Sequence, residues 1–183
     1  MIQRRSTKQI LAESYIELSY YRPIEKITVG DIIENCGMAR QTFYYHFPTK
    51  YDLVIWIFAH ATDRILDEHI TKEPWGISMG RVLEMIASNW SFYRKALRRR
   101  DDNLFFSSFY RYCVDYYRRK LKELYHLETL DADLLFEIRF NCHGSTNITR
   151  DWLEGDLSGR SPQSIGALMY ESMPTRLKAY FSF

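Results

Sequence analysis

The sequence predicts an all-α protein, and three observations support this prediction. No stretch combines sustained apolar–polar alternation with β-branched residues, as a half-buried strand would. Apolar residues instead recur every three or four positions, which is the spacing of one helix face. Several of these segments begin with a Ser or Thr that is followed three positions later by an acidic or amide residue, the pattern of a capping box. We therefore expect the 183-residue chain to fold as successive helices.

The first two helices are marked at their ends. Ser6 and Gln9 form a capping box, and the helix that follows should end before Pro23, because the residue preceding a proline avoids helical backbone angles. Thr28 and Asp31 form a second capping box, which is followed by an apolar stripe. Two helices are therefore predicted before residue 37.

A tight turn separates the second helix from a third. Gly37 stands where a helix end favours a left-handed residue, and only two residues separate it from a polar and aromatic run at about residues 40–47. A third helix in this run must turn sharply against the second. Two short helices joined by a tight, glycine-containing turn form a helix-turn-helix.

A long fourth helix should connect this three-helix head to the rest of the chain. Pro48 stops the third helix, and Thr49 with Asp52 begins a new capping pattern. Apolar residues then recur every four positions from Lys50 to about Ile70. A helix of about 20 residues is about 30 Å long, enough to connect two layers of a small protein.

The remainder of the chain is predicted to form a helical body. Thr71–Gly80 (TKEPWGISMG) is expected to be a linker. Further helices are expected near Arg81–Ala87, Trp90–Leu97, Leu104–Tyr125 and Ala132–Leu153, and from Pro162 to about Tyr180 with an interruption at Pro174.

Charge, hydropathy and cysteine content limit the function classes. Residues 1–50 hold seven Lys or Arg against five acids, whereas the other 18 basic and 18 acidic residues cancel, so the excess positive charge lies in the head and suggests an anionic partner. No apolar run approaches the length of a membrane span, and the N-terminus lacks a signal-peptide core, so a cytoplasmic location is expected. The three cysteines are widely spaced and form no CxxC pair, which argues against a disulfide or zinc framework.

The third predicted helix combines a buried face with an unusual polar face. Phe43 and Phe47 are four residues apart and should pack against the first two helices. Arg40, Gln41 and Thr42 then lie elsewhere, and these residue types can read guanine, adenine and a thymine methyl in the major groove. Phosphates need donors at the helix ends, which Thr28, Tyr45, His46 and Lys50 could supply. A short amphipathic helix with a solvated polar face is the alternative.

The pattern T-x-x-D-I-x-x-x-x-G-x-x-x-x-T-F-Y-Y-H-F-x-x-K-x-x-L, from Thr28 to Leu53, resembles the DNA-binding signature of the TetR family of bacterial transcriptional regulators. The resemblance implies an all-α homodimer that binds a double-stranded, palindromic DNA operator through the head. It also implies a linking fourth helix and a body that usually binds a small effector. On this basis residues 1–50 form the DNA-binding domain, and residues 51–183 form the regulatory and dimerisation domain.

Functional residues follow from the resemblance position by position. Arg40, Gln41, Thr42 and Tyr44 match base-reading positions, and Thr28, Tyr45, His46 and Lys50 match phosphate-contacting positions. This chain departs from the family pattern at Pro48 and at Arg40, where other residue types are common. Arg4 and Arg5 precede the first helix, either as an arm that touches DNA or as a solvated tail.

The body offers a candidate effector pocket. Residues 90–125 are rich in aromatic side chains, which are common in small-molecule sites. The candidate lining residues are Trp90, Tyr93, Phe106, Tyr110 and Cys113. The alternative is that these rings only fill the core. The run Leu97–Asp102 mixes both signs of charge and is expected to be a solvated helix end or loop.

The last long helices offer a candidate dimer interface. Phe140, Gly144, Ile148 and Trp152 recur every four residues, and Leu168 and Met169 lie on the final long helix. Burying such faces between two subunits would form a four-helix interface, and packing within one subunit is the alternative. The W-L-x-G-D…S-P-x-S-I pattern from Trp152 to Ile165 is similar to family members that act with a protein coactivator, so the effector could be a small molecule or a protein.

No enzyme motif is present. The five histidines form no HExxH, and the chain has no GxSxG, GxGxxG or P-loop, so no catalytic residue, metal or cofactor is expected. Two hypotheses remain at this point. The first is an effector-controlled regulator, expected to be a repressor, and the second is a helical protein-interaction module without DNA binding or an activator that depends on a coactivator.

Overall fold

Ten α-helices and one short 3-10 turn form the structure, which is a computed structural model that describes residues 5–98 and 104–182. No strand occurs in these two ranges. The helices are α1 (Thr7–Tyr21), α2 (Val29–Cys36), α3 (Arg40–His46), α4 (Lys50–His69), α5 (Trp75–Ser88), α6 (Trp90–Leu97), α7 (Leu104–Tyr125), α8 (Ala132–Glu154), α9 (Pro162–Glu171) and α10 (Thr175–Ala179), and the 3-10 turn is Ile24–Lys26. The predicted all-α class is confirmed.

The predicted helix ends of the head form as expected. The Ser6 hydroxyl accepts a hydrogen bond from the Gln9 backbone, and the Gln9 side chain accepts one from the Ser6 backbone. Thr28 and Asp31 form the same reciprocal arrangement at the start of α2. Gly37 ends α2 with a φ of 67°, a left-handed conformation that a residue without Cβ adopts at little cost. This turn gives α3 its sharp angle to α2.

The head has a continuous apolar core. Leu11 and Tyr15 of α1, Ile32 of α2 and Phe43 of α3 are almost completely buried. The Ser14 hydroxyl donates to the Ile32 carbonyl at 2.7 Å, so α1 and α2 are also joined by a buried hydrogen bond. Burial of this kind holds α3, which has only seven residues and would not persist alone.

The predicted linker is shorter than expected. Only residues 70–74 separate α4 from α5, and Trp75–Gly80 are helical rather than part of a linker. The reason lies in packing: Gly76 and Gly80, which read as helix breakers, lie one turn apart and face Gly166 of α9. A Cβ added at Gly166 would lie 2.5 Å from the Gly76 carbonyl oxygen and 2.6 Å from the Gly80 nitrogen. Close packing of two backbones therefore overrides the low helix propensity of glycine.

The body is built around α4, α5, α7, α8 and α9. Contacts of α6 help to join it to the head. The α6 ring of Phe92 packs edge-on against Tyr15 at 6.1 Å, and Lys95 of α6 donates to the Ser19 carbonyl at the end of α1. None of the helices within the described residues is long and apolar enough to cross a membrane.

Candidate nucleic-acid interface

Helix α3 presents a polar face because two phenylalanines fix its opposite face. Phe43 and Phe47 are buried, and their ring centroids lie 5.9 Å apart. Gln41 and Tyr45 are four residues apart and both exposed, Tyr45 by 84%. These two side chains therefore project from the side of α3 that faces away from the head core.

Arg40 and Tyr44 form a second exposed pair on the same helix. The Arg40 guanidinium lies 5.6 Å from the centroid of the Tyr44 ring, and its Nη2 donates to the Tyr44 hydroxyl at 3.4 Å. The ring limits the directions available to the long arginine side chain. A guanidinium held in this way can still offer its remaining N–H groups to a base edge or a phosphate.

Thr42 and His46 lie at the border of the exposed face. Both are partly buried, and the His46 ring packs edge-on against Tyr45 with centroids 4.9 Å apart. Thr42 and His46 therefore lie next to the exposed pair Gln41 and Tyr45 and project less from the helix. Of the six predicted residues of α3, four are exposed, and Thr42 and His46 are partly buried.

Thr28 is exposed at the start of α2, and its hydroxyl is already engaged. The hydroxyl donates to Asp31 Oδ2 at 2.7 Å, and the Thr28 backbone N–H donates to the same oxygen at 2.7 Å. These bonds, together with the Arg22 guanidinium 2.8 Å away, hold the pKa of the Asp31 carboxyl below its usual range. A phosphate near the start of α2 would thus meet a carboxylate that is already neutralised by Arg22.

The structure places the Lys50 ammonium differently from the phosphate contact that the resemblance implies. Its Nζ donates to three backbone carbonyls, those of Ile24 at 3.3 Å, Glu25 at 2.7 Å and Ile27 at 2.8 Å. An ammonium has three donors, so all of them are engaged. Partial burial lowers the pKa of Lys50. Lys50 therefore joins the start of α4 to the segment between α1 and α2.

Lys26 is a candidate phosphate-binding residue that the sequence patterns did not predict. It ends the 3-10 turn, is exposed, and has no acidic partner among the described residues. Arg40 shares this property, whereas Arg5 pairs with Glu13 at 2.8 Å and Arg22 pairs with Asp31. The only feature of the sequence that could have pointed to Lys26 was its position two residues before Thr28, the N-cap of α2. Arg4 lies outside the described residues.

The predicted effector residues do not share one cavity. Trp90 packs edge-on against Trp152 at 4.8 Å, Phe106 lies 4.3 Å beneath the Arg150 guanidinium, and Tyr110 stacks on His143 at 4.1 Å. Tyr93 is buried and donates to Met85 Sδ at 3.3 Å. Of the five, only Cys113 lines the cavity of about 50 Å³ in the body. The other rings fill the core or cover its edges, which corrects the expectation.

The predicted dimer residues divide into exposed and buried sets. Phe140, Ile148 and Leu168 are exposed, and a Cβ on Gly144 would meet nothing within 4 Å. Trp152 and Met169 are buried within the subunit, which corrects their placement. The four-residue repeat drifts by about 40° a step around a helix, so Trp152 has turned away from the face of Phe140 toward Trp90. Of the charged run Leu97–Asp102, residues 99–102 lie outside the described residues.

The chain is similar to known transcriptional regulators. A family model described as "Bacterial regulatory proteins, tetR family" matches residues 16–56, and one described as "Transcriptional regulator C-terminal region" matches residues 73–173. The dhaKLM operon transcriptional activator DhaS of Lactococcus lactis subsp. lactis (strain IL1403) is 24% identical over 180 residues, which cover 96% of this chain and 93% of that protein.

Solved structures share the same fold. The dihydroxyacetone kinase operon activator DhaS matches with a TM-score of 0.61 at 22% identity, over 96% of this chain and 98% of that one. A TetR transcriptional regulator from Rhodococcus sp. RHA1 matches with a TM-score of 0.60 at 14% identity, over 90% and 96% of the two chains. The head model covers the helix-turn-helix, and the second model covers more than half of the chain. This protein belongs to the TetR family of bacterial transcriptional regulators.

Proposed function

We propose that this regulator binds a palindromic double-stranded DNA operator as a homodimer and that an effector in its body controls its affinity for DNA. The observation that carries the proposal is the exposed face of α3, where Arg40, Gln41, Tyr44 and Tyr45 project opposite two buried phenylalanines. An α-helix with this composition fits the major groove, and a two-fold dimer places two such helices on successive half-sites. The proposal includes no catalytic step.

The proposed DNA contacts are of two kinds, contacts to base edges and contacts to phosphates. Arg40, Gln41, Thr42 and Tyr44 are assigned to base edges, because their donors, acceptors and methyl groups complement those in the major groove. Phosphate binding is assigned to Tyr45, His46, Thr28 and, from its exposure, Lys26. Lys50 is assigned to positioning, since its three donors hold the carbonyls that precede α2.

The dimer is proposed to form through α8 and α9. The exposed apolar residues Phe140, Ile148 and Leu168 lie along one shallow groove, and Gly144 lets a partner helix approach closely. An apolar face of this kind on a two-helix surface is best stabilised by a second copy of itself. Residues 1–50 then form the DNA-binding unit, residues 51–183 form the regulatory and dimerisation unit, and the cytoplasm is the proposed location.

Control by an effector is supported by the connection between α4 and the body. The Tyr112 hydroxyl lies 2.6 Å from Asp63 of α4, which also receives a hydrogen bond from Arg119 at 3.2 Å. Because α4 begins at Lys50 in the head, a change at Tyr112 can alter the position of α3 relative to the body. The effector therefore acts in this proposal by favouring one orientation of α4.

Activation rather than repression is the second candidate. It is favoured by the similarity to DhaS, which is described as an operon transcriptional activator. In that case the effector would be a protein coactivator that contacts the body. The same DNA-binding face serves both candidates, and reporter transcription with and without the protein distinguishes them.

The test is a mobility-shift titration with DNA from the region upstream of the protein's own gene. A specific complex should form with that DNA and resist competition by a scrambled sequence of the same composition. The double variant Arg40→Ala, Gln41→Ala should abolish the specific complex while the purified protein stays folded by circular dichroism. Binding that is equally weak to both DNAs at low salt, and unchanged in the variant, would disprove the proposal.

A further inference from the structure

A cavity lies between the helices of the body. Residues of α4, α5, α7, α8 and α9 line it, and its volume is about 50 Å³. A buried water needs about 10–15 Å³ on the same measure, so the cavity has room for about three to five non-hydrogen atoms. Most of its wall is apolar, with Phe58, Leu66, Leu83 and Met169 among the lining residues.

Four polar atoms on residues that line this cavity have no hydrogen-bond partner. They are Thr62 Oγ1, Trp75 Nε1, Tyr116 Oη and Tyr117 Oη, and all four residues are more than nine-tenths buried. The Asn141 amide lies beside Tyr117, but neither group satisfies the other with hydrogen-bond geometry. Buried polar groups are almost always paired in folded proteins, so four unpaired groups around one cavity indicate partners that a bound molecule supplies.

The chemistry of these atoms restricts that molecule. An indole N–H only donates, so Trp75 requires an acceptor, whereas the three hydroxyls can donate or accept. None of the lining residues in the described part of the chain is Asp, Glu, Lys, Arg or His. A charged ligand would therefore enter an apolar cavity without a counter-charge, which is strongly unfavourable.

We propose that this cavity binds a small uncharged molecule that carries hydroxyl or carbonyl oxygens. The inference rests on the proposed function, in which an effector acts through the body, and it identifies the chemical class of that effector. Tyr112 lines the same cavity and contacts Asp63 of α4, so an occupant adjacent to Tyr112 is well placed to affect the head.

The experiment uses propane-1,2-diol as the neutral probe and glycolate, which has the same number of non-hydrogen atoms, as the charged probe. The indole N–H of Trp75 is followed by two-dimensional NMR of the ¹⁵N-labelled full chain, which has four tryptophans, and its resonance is assigned with Trp75→Phe. The diol should shift this resonance to saturation, and glycolate should leave it unchanged. Saturable shifts by glycolate, or a diol response that stays linear over the whole titration, would overturn the proposal.

Matched variants separate hydrogen bonding from mere filling of space. Tyr117→Phe and Thr62→Val remove one hydroxyl each and keep the side-chain shape, and each should weaken diol binding about fivefold. Tyr125→Phe is the control, because its hydroxyl donates to the Tyr180 carbonyl away from the cavity, and diol binding should be unchanged. Xenon probes the apolar alternative: if xenon saturates the site and the diol does not, or both hydroxyl variants bind the diol as tightly as the unmodified protein, the cavity is only an apolar void.

The experiment distinguishes failure of the proposed ligand class from failure of the proposed DNA-binding function. Affinity for the upstream DNA is measured with and without the diol on the same samples. Saturable diol binding supports the assigned ligand class even if DNA affinity stays constant, and constant DNA affinity then contradicts effector control through this cavity. Absence of saturable diol binding, together with intact specific DNA binding, overturns the ligand class and leaves the DNA-binding function standing.

Discussion

At the scale of single residues, the cations of the head differ in what their charged groups contact. Arg5 and Arg22 pair with acids, and Lys50 donates to three carbonyls. Lys26 and Arg40 are exposed without an acidic partner among the described residues. A basic residue near DNA therefore counts toward binding only if its charge is free, which residue type and spacing cannot show.

Lys26 and Lys50 should respond differently to removal of their charge. Lys26→Met should weaken binding to all DNA sequences and reduce the slope of log affinity against log salt by about 0.9, the value for one phosphate contact. Lys50→Met should lower the thermal stability of the protein and leave that slope unchanged. Fluorescence anisotropy titrations at several salt concentrations give both slopes. A slope that falls equally in the two variants would show that Lys50 leaves its carbonyls to bind phosphate.

The Asp31 cap should make the stability of the head depend on pH. The pKa of Asp31 is lowered in the folded state by the Thr28 hydrogen bonds and by Arg22. Its contribution is therefore present above the ordinary aspartate pKa of about 4 and is lost as pH falls through the lowered value. Asp31→Asn should melt at a lower temperature than the unmodified protein at pH 7, and this gap should shrink below about pH 4.

The control for this prediction is Glu34→Gln, which removes an exposed acid of the same helix. Melting curves from pH 3 to pH 7 provide the comparison. Glu34→Gln should track the unmodified protein throughout. A gap for Asp31→Asn that is equally large at pH 3 would show that the cap acts through shape and hydrogen bonds rather than through its charge.

At the scale of elements, helix ends were predictable and packing between helices was not. The capping boxes at Ser6, Thr28 and Thr49 depend on residues three positions apart, and each marks a helix that the structure contains. The first turns of α5 were missed because Gly76 and Gly80 disfavour helix unless a partner backbone lies against them. That partner, α9, is far away in sequence, and local patterns do not report it.

The prediction of the residues that line the effector pocket was wrong for the same reason, because contacts between distant helices decide which residues border a cavity. The prediction took aromatic residues from one stretch, residues 90–125, whereas the cavity wall also draws on α4, α5, α8 and α9. Aromatic content shows that rings are present, and it does not show which of them border empty space. The face of α3 was predictable because Phe43 and Phe47 are close in sequence and fix the orientation of a single helix.

The α5–α9 crossing should tolerate no side chain at its closest point. Gly166→Ala places a methyl group against backbone atoms of Gly76 and Gly80, which cannot move independently of their helix. The expected loss is about 1–3 kcal/mol of unfolding free energy, the usual cost of overpacking. Urea unfolding measures it. Gly30→Ala is the control, since its nearest contact is an ordinary 3.4 Å, and a loss of equal size there would contradict the packing argument.

At the scale of the whole molecule, the proposed DNA recognition depends on a second copy of the chain. The recognition helix of one head has only seven residues, so it offers a small surface to DNA. A two-fold dimer doubles this surface and sets the distance between the two recognition helices. The exposed apolar residues of α8 and α9 are the surface assigned to that pairing. The fold class and the head were predictable from sequence, whereas Trp152 and Met169 show that a repeat of four does not separate the outer face from the core.

Gly144 provides the sharpest test of the dimer face. A side chain at this position meets nothing within 4 Å in the single subunit, so Gly144→Leu should fold normally. It should nevertheless shift sedimentation toward the monomer, because the new side chain occupies the space of the partner helix. Arg64→Leu adds the same side chain at an exposed position of α4 and should remain dimeric. An unchanged dimer in Gly144→Leu would remove this part of α8 from the interface.

The central claim is that α3 reads DNA sequence, and the most direct measurement is the ratio of affinities for operator and scrambled DNA. Gln41→Ala should lower this ratio by about 5-fold to 150-fold, as expected for loss of one bidentate base contact worth about 1–3 kcal/mol. Lys26→Met should weaken both affinities and leave the ratio unchanged. If Gln41→Ala weakens binding to operator and to scrambled DNA by the same factor, as Lys26→Met should, α3 does not read sequence through Gln41. That result would contradict the central claim.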